Sequence, residues 1–229
     1  MSKEYEKRVV VQAIYEAAPQ ETLLEEFDTV AAWQATGDFG PVITSITTNE
    51  FSGQHCAKIV CTGIGVGGNG YITRFAPYVK QRYINFEFSL GFEGNAQLVD
   101  FFKIGQSTGT THKYTDIKIS AINTTTLTIA IYNTATLVYD TLGTIDLGGS
   151  VGTKQFITIS GQIDLITGKY VLLKVGDKTF SVSAYNLKSE QNIQDFRATG
   201  IFEVKTPSIA LATTGTYYLD RLVFWGSMT

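Results

Sequence analysis

Histidine and cysteine are nearly missing from this chain, with two of each in 229 residues. Nucleophilic catalysis usually needs a base such as histidine beside the nucleophile. Only His55 and His112 exist. Cys56 and Cys61 lie five residues apart, a spacing that sends strand side chains to opposite faces. They therefore cannot bridge each other within one strand, and two thiols alone do not build a zinc site. A disulfide-stapled fold is excluded.

Charge is scarce as well. Charged residues make up 17 % of the chain, below the usual ~25 %, and the net charge is −3. The densest basic stretch, Lys3 to Arg8, is interrupted by Glu4 and Glu6, so nothing attracts nucleic-acid phosphates or an anionic leaflet. No run approaches the roughly 20 apolar residues that cross a membrane. The charged start and the short run Val9-Val10-Val11 do not form a secretory signal. The expected location is a virion, or the cytoplasm until release.

What is present is β-structure. Hydrophobic residues reach 44 %, enough for a sizeable core, and β-branched and aromatic types that suit a pleated surface are abundant. Period-2 alternation runs through Ile84, Phe86, Phe88 and Leu90, through Leu127, Ile129 and Ile131, and through Val171, Leu173 and Val175. Further strands are expected at 57–62, 70–75, 99–104, 116–121, 156–163, 179–183, 200–204 and 217–225. Turn signals separate them, among them Thr167-Gly168 and Gly176-Asp177. One short helix is expected around Leu187–Asp195. About a dozen short strands at regular spacing predict an all-β, two-sheet antiparallel sandwich, a class that runs to 200–250 residues as one domain. The domain spans residues 21–229. Residues 1–20 form an N-terminal arm closed by Pro19, whose Val9, Val10, Val11, Ile14 and Tyr15 need cover. The arm is either a loosely packed terminus or a segment that docks on another copy of the chain or on other virion proteins.

Several motifs carry no chemistry. Gly63-Ile64-Gly65-Val66-Gly67-Gly68 fits a dinucleotide-binding template, but a strand pattern follows where a helix must open, so the run is a loop. Glu25, Glu26 and Asp28 cluster, and Asp100 and Glu203 lie near strand ends, with no spacing that pairs them for glycoside hydrolysis. Asn123-Thr124-Thr125 matches a glycosylation sequon by chance.

Three stretches in order resemble the concanavalin A-like lectin and glucanase superfamily, with its laminin-G-like and carbohydrate-binding-module relatives. They are Glu26-Phe27-Asp28 leading to Trp33 and then Ser52 to Ile59, the turn segment Phe156 to Leu172 around Ile163-Asp164-Leu165-Ile166-Thr167-Gly168, and the ending Tyr217 to Phe224. The resemblance implies a jelly roll. Enzymatic members carry a Glu-x-Asp-x-x-Glu strand, and the nearest approach here, Glu26-Phe27-Asp28-Thr29-Val30-Ala31, ends in alanine, which implies a non-catalytic member. Relatives with a structural calcium would place it at Glu26 and Asp220, and Arg74 or Lys58 could serve Asp220 instead. Sugar-binding relatives stack pyranose rings on aromatics, for which Trp33, Tyr71, Tyr78, Tyr114 and Trp225 are candidates, although Trp33 and Trp225 occupy positions that this fold fills with core aromatics. The expected function is a non-enzymatic structural or binding protein, a capsid-decoration or tail-associated virion surface component, homo-oligomeric, with a glycan as ligand. A carbohydrate-binding module of a polysaccharide-degrading system is the alternative, and an enzyme with dispersed carboxylates is the third reading.

Overall fold

A computed structural model describes residues 20–37, 42–47, 55–61, 69–76, 78–92, 99–108, 110–121, 126–148, 155–191, 198–207 and 215–227. The expected arm, the glycine run 63–68 and the sequon 123–125 lie outside these residues, apart from Gln20.

The described residues form strands without a helix. In chain order they are β1 (Gln20–Glu25), β2 (Trp33–Gly37), β3 (Val42–Ile46), β4 (Cys56–Cys61), β5 (Asn69–Ala76) and β6 (Tyr83–Phe92). There follow β7 (Val99–Thr108), β8 (Thr111–Tyr114), β9 (Ile117–Ala121), β10 (Thr126–Asn133), β11 (Val138–Asp146) and β12 (Gln155–Asp164). The last are β13 (Lys169–Val175), β14 (Lys178–Phe180), β15 (Lys188–Gln191), β16 (Ala198–Pro207) and β17 (Gly215–Ser227). One sheet of eight strands runs β14-β13-β12-β6-β17-β4-β3, with β1 also on β17. The other, of nine, runs β11-β10-β9-β7-β16-β5-β2, with β8 on β7 and β15 on β8. Neighbours are far apart in sequence, as in β6 beside β17 and β7 beside β16, and the pairing is antiparallel. This is the expected two-sheet jelly roll.

Alternation builds the core. Ile84, Phe86, Phe88 and Leu90 of one sheet meet Phe102, Ile104, Phe202 and Val204 of the other, all at most 1 % exposed. Phe88 stacks on Phe102 with ring centroids 5.0 Å apart and meets Phe202 edge-on at 5.1 Å. Such offset and T-shaped geometries add to the hydrophobic gain of burial.

The segment around Leu187 corrects the sequence reading. Leu187 is buried, but Lys188–Gln191 is a strand paired with β8, and 192–197 lie outside the described residues. The helix-favouring Lys, Glu and Gln of this stretch are overridden by the open edge of β8, where tertiary context outweighs propensity.

The turn from β12 to β13 forms as its sequence suggests. Asp164 Oδ1 accepts the amides of Ile166 at 2.9 Å and Thr167 at 3.1 Å, and Gly168 takes the left-handed φ of 66°. Arg82 Nε and Nη2 donate to Asp164 Oδ2 at 3.0 and 2.6 Å.

Candidate functional site

On β7 and β16, Lys103, Ile201 and Glu203 alternate with the core residues and project from the side of the nine-stranded sheet opposite the core. The register sets Glu203 beside Lys103 and Ile201 beside Gly105. The sheet then forks. The first half of β7 pairs with β9, whereas Gly105–Ser107 pairs with β8, which carries β15 beyond it. Glycine is required at 105, because a Cβ there would run into the carbonyl oxygen of Lys113 and the Cα of Tyr114. Close passage of β8 over Gly105 leaves a cleft of about 150 Å³ lined by Lys103, Gln106, His112, Lys113, Tyr114, Glu190, Ile201 and Glu203.

Charge in the cleft is paired. Lys103 Nζ lies 3.2 Å from Glu203 Oε1, and Thr73 Oγ1 donates to Glu203 Oε2 at 3.5 Å. Lys188 Nζ lies 3.2 Å from Glu190 and 3.5 Å from buried Asp116, and sits 4.8 Å from the centroid of the Tyr132 ring. Asp116 is further held by the Tyr139 hydroxyl, which donates to Oδ1 at 2.6 Å. Lys113 Nζ donates to the Leu165 carbonyl at 3.0 Å. Gln106 is spent on the fold, its amide bonding both Val79 N–H and Val79 C=O.

These contacts set the protonation states. Burial, then the Glu190 carboxylate beside it, pushes the Tyr114 phenol far above its ordinary value. Burial pushes Glu190 up, but Tyr114 and Lys188 outweigh it and hold the carboxyl below its ordinary value. Burial likewise opposes the charge on Lys188, and Glu190 and Asp116 overcome it. Tyr114 is 5 % exposed, and its hydroxyl lies against the Glu190 carboxylate.

The structure separates the expected aromatic ligands. Trp33 is 6 % exposed, stacked 5.5 Å from Phe27 and edge-on to Phe202 at 5.9 Å, so it presents no face to a sugar. Tyr114 is buried between Lys103, 5.1 Å from its ring centroid, and Lys188 at 5.9 Å, and it lines the cleft without offering a stacking face. Tyr71 is half-buried on the cleft side of β5, and Trp225 is half-buried on the other sheet. Tyr78, 38 % exposed, lies between β5 and β6. Phe75 was not foreseen. It is 37 % exposed and directly opposite Ile201 of the cleft. His112 lies on β8, and Glu190 reaches the cleft because β15 is a strand.

For calcium, the ladder Glu25↔Leu222 carries Glu26 to the neighbourhood of Asp220, but Glu26 is exposed and Asp220 only 1 % exposed. Among the described residues no three of His, Cys, Asp and Glu gather to hold a metal, whereas calcium takes six to eight oxygens.

No family profile and no curated protein matches the chain. Solved structures do. A carbohydrate esterase of the Shiga toxin-encoding bacteriophage phi24B superposes with a TM-score of 0.56 at 13 % identity, covering 92 % of this chain and 100 % of that one. The cellulose-induced protein Cip1 gives 0.51 at 12 % identity over 90 % and 97 % of the two chains. An endo-β-1,4-glucuronan lyase of the fungus Trichoderma reesei gives 0.50 at 10 % identity over 91 % and 96 %. The chain thus shares with these three proteins the fold of a two-sheet antiparallel jelly-roll sandwich.

Proposed function

We propose that this protein is a non-enzymatic glycan-binding jelly roll that works at the surface of a virion, as a capsid-decoration or tail-associated component, and that the glycan sits on the outer face of the nine-stranded sheet. One observation carries the reading. A cleft lined by polar and charged groups opens beside the exposed ring of Phe75, which neighbours Ile201 across the β5–β16 ladder. Cross-strand neighbours have Cβ atoms ~5 Å apart, so one sugar can stack on the ring while its hydroxyls reach the cleft. The kinship in fold with a phage protein named for carbohydrate chemistry supports the virion placement.

Two carboxylates in one cleft also suit glycoside hydrolysis, which needs a proton donor with a raised pKa. Glu190 is held below its ordinary value, so it is not kept as the neutral acid, and Tyr114 stays protonated and cannot act as a base. The reading is therefore of binding without turnover. Purified protein applied to a glycan array is expected to retain a defined set of saccharides, and Phe75→Ala to weaken retention about tenfold, the worth of one stacking contact of ~1.4 kcal/mol. Release of reducing ends, unsaturated uronic ends or acetate from any bound polysaccharide would overturn the non-enzymatic reading.

A further inference from the structure

We propose that the glycan is bound as a linear chain of at least two sugars, and that His112 is the specificity-determining residue, hydrogen-bonding a hydroxyl of the sugar beyond the one stacked on Phe75. The inference rests on the glycan-binding reading and names the class of glycan, a chain rather than a single terminal sugar.

The first ground is which polar side chains of the cleft are still available. Lys103 and Glu203 hold each other, and Glu190 is taken by Lys188 and the Tyr114 hydroxyl. Gln106 is spent on Val79, and Lys113 is tied to the Leu165 carbonyl. His112 also lines the cleft, half-buried on β8. Among the described residues nothing forms a hydrogen bond or ion pair with its ring. The ladders fix where that ring stands. Ser107, His112 and Glu190 lie opposite one another on β7, β8 and β15, and His112 shares a face with Tyr114 two residues on. This is the outer face of the sheet, the side of Ile201 and Phe75. A neutral imidazole carries one donor nitrogen and one acceptor nitrogen. A sugar hydroxyl both donates and accepts, so it meets whichever nitrogen the ring presents.

The second ground is span. Phe75 stands on β5 and His112 on β8, with β16 and β7 between them. Three steps at a strand spacing of ~4.8 Å separate them by about 14 Å, less the shortening where β8 passes close over Gly105. A single pyranose stacked on Phe75 leaves His112 out of reach. A second linked sugar covers the distance, with Ile201 as the apolar floor between.

The test is isothermal titration with cello-, manno- and laminari-oligosaccharides and oligogalacturonates of one to six units, for wild type, His112→Ala, His112→Gln and Phe75→Ala. Each variant's unfolding temperature is checked to exclude loss of fold. Wild-type affinity is expected to rise at least tenfold from the monosaccharide to the hexamer of the preferred series. His112→Ala removes one hydrogen bond to the second sugar, so hexamer affinity is expected to fall about three- to tenfold while monosaccharide affinity stays within twofold. Phe75→Ala is expected to weaken both. His112→Gln keeps a donor and an acceptor and is expected to retain most of the hexamer affinity. Monosaccharides bound as tightly as hexamers overturn the chain reading. Hexamer affinity untouched by His112→Ala, or lowered together with that of the monosaccharide, overturns the assignment of His112. Wild type that holds a saccharide on the array but no member of these series overturns the linear-chain class and leaves glycan binding standing. Wild type that binds neither these sugars nor any saccharide on the array overturns the glycan-binding reading and this inference with it.

Discussion

Asp164 shows what one side chain does for this fold. Its carboxylate closes the β12–β13 turn through two backbone amides and meets Arg82 on its other oxygen. The Arg82 bond, assisted by the turn amides, holds Asp164 well below the ordinary carboxylate range against the opposing effect of burial. A carboxyl whose folded pKa is depressed stabilises fully above its unfolded value of ~3.9 and loses that contribution as pH falls towards the folded one. Asp164→Asn is expected to cost about 2 kcal/mol at neutral pH, a Tm loss of about 4–8 °C for a domain of this size. The gap between mutant and wild type should close as the pH drops below about 4. Urea unfolding of both proteins against pH checks this, and a pH-independent gap would contradict it. The role was legible in the sequence, because Asp164 and Gly168 flank a reversal whose chemistry is local. Phe75 was not legible, since alternation gives its face but not whether anything covers that face.

At the scale of elements, the site depends on the fork in the nine-stranded sheet. β8 and β15 are four residues each and have no strong period of their own, and they exist because β7 offers an edge beyond Phe102. Long strands such as β6 and β12 declare themselves through repeated alternation. A four-residue strand gives too few repeats to be told from a loop or, around Glu190, from the expected helix. Gly105 is the residue that admits β8. Gly105→Ala is expected to displace β8, cost about 1–3 kcal/mol through overpacking, and abolish glycan retention while the far-UV circular dichroism stays that of a β-sandwich. Retained binding in a folded Gly105→Ala protein would place the ligand elsewhere.

Across the whole molecule, the sandwich is held by aromatic packing in the core, with Phe202 touching Phe88 of the facing sheet and Phe102 and Trp33 of its own. Phe202→Ala is expected to cost about 3–5 kcal/mol in chemical unfolding. Trp33, one of the aromatic candidates for a sugar platform, belongs to this same packing, in the core position that the fold normally fills with an aromatic. The class of fold was legible from alternation and turn chemistry. The cleft was not, because it joins residues 103, 112–114, 190 and 201–203 through pairings of long sequence separation. The most direct measurement of the central claim is an amide chemical-shift titration of the isotope-labelled protein with a saccharide retained on the array. Shifts are expected to concentrate on β5, β7, β8, β15 and β16, around Phe75, Lys103, Tyr114, Glu190 and Glu203. Shifts confined to the outer face of the eight-stranded sheet, with these residues unmoved, would contradict the account.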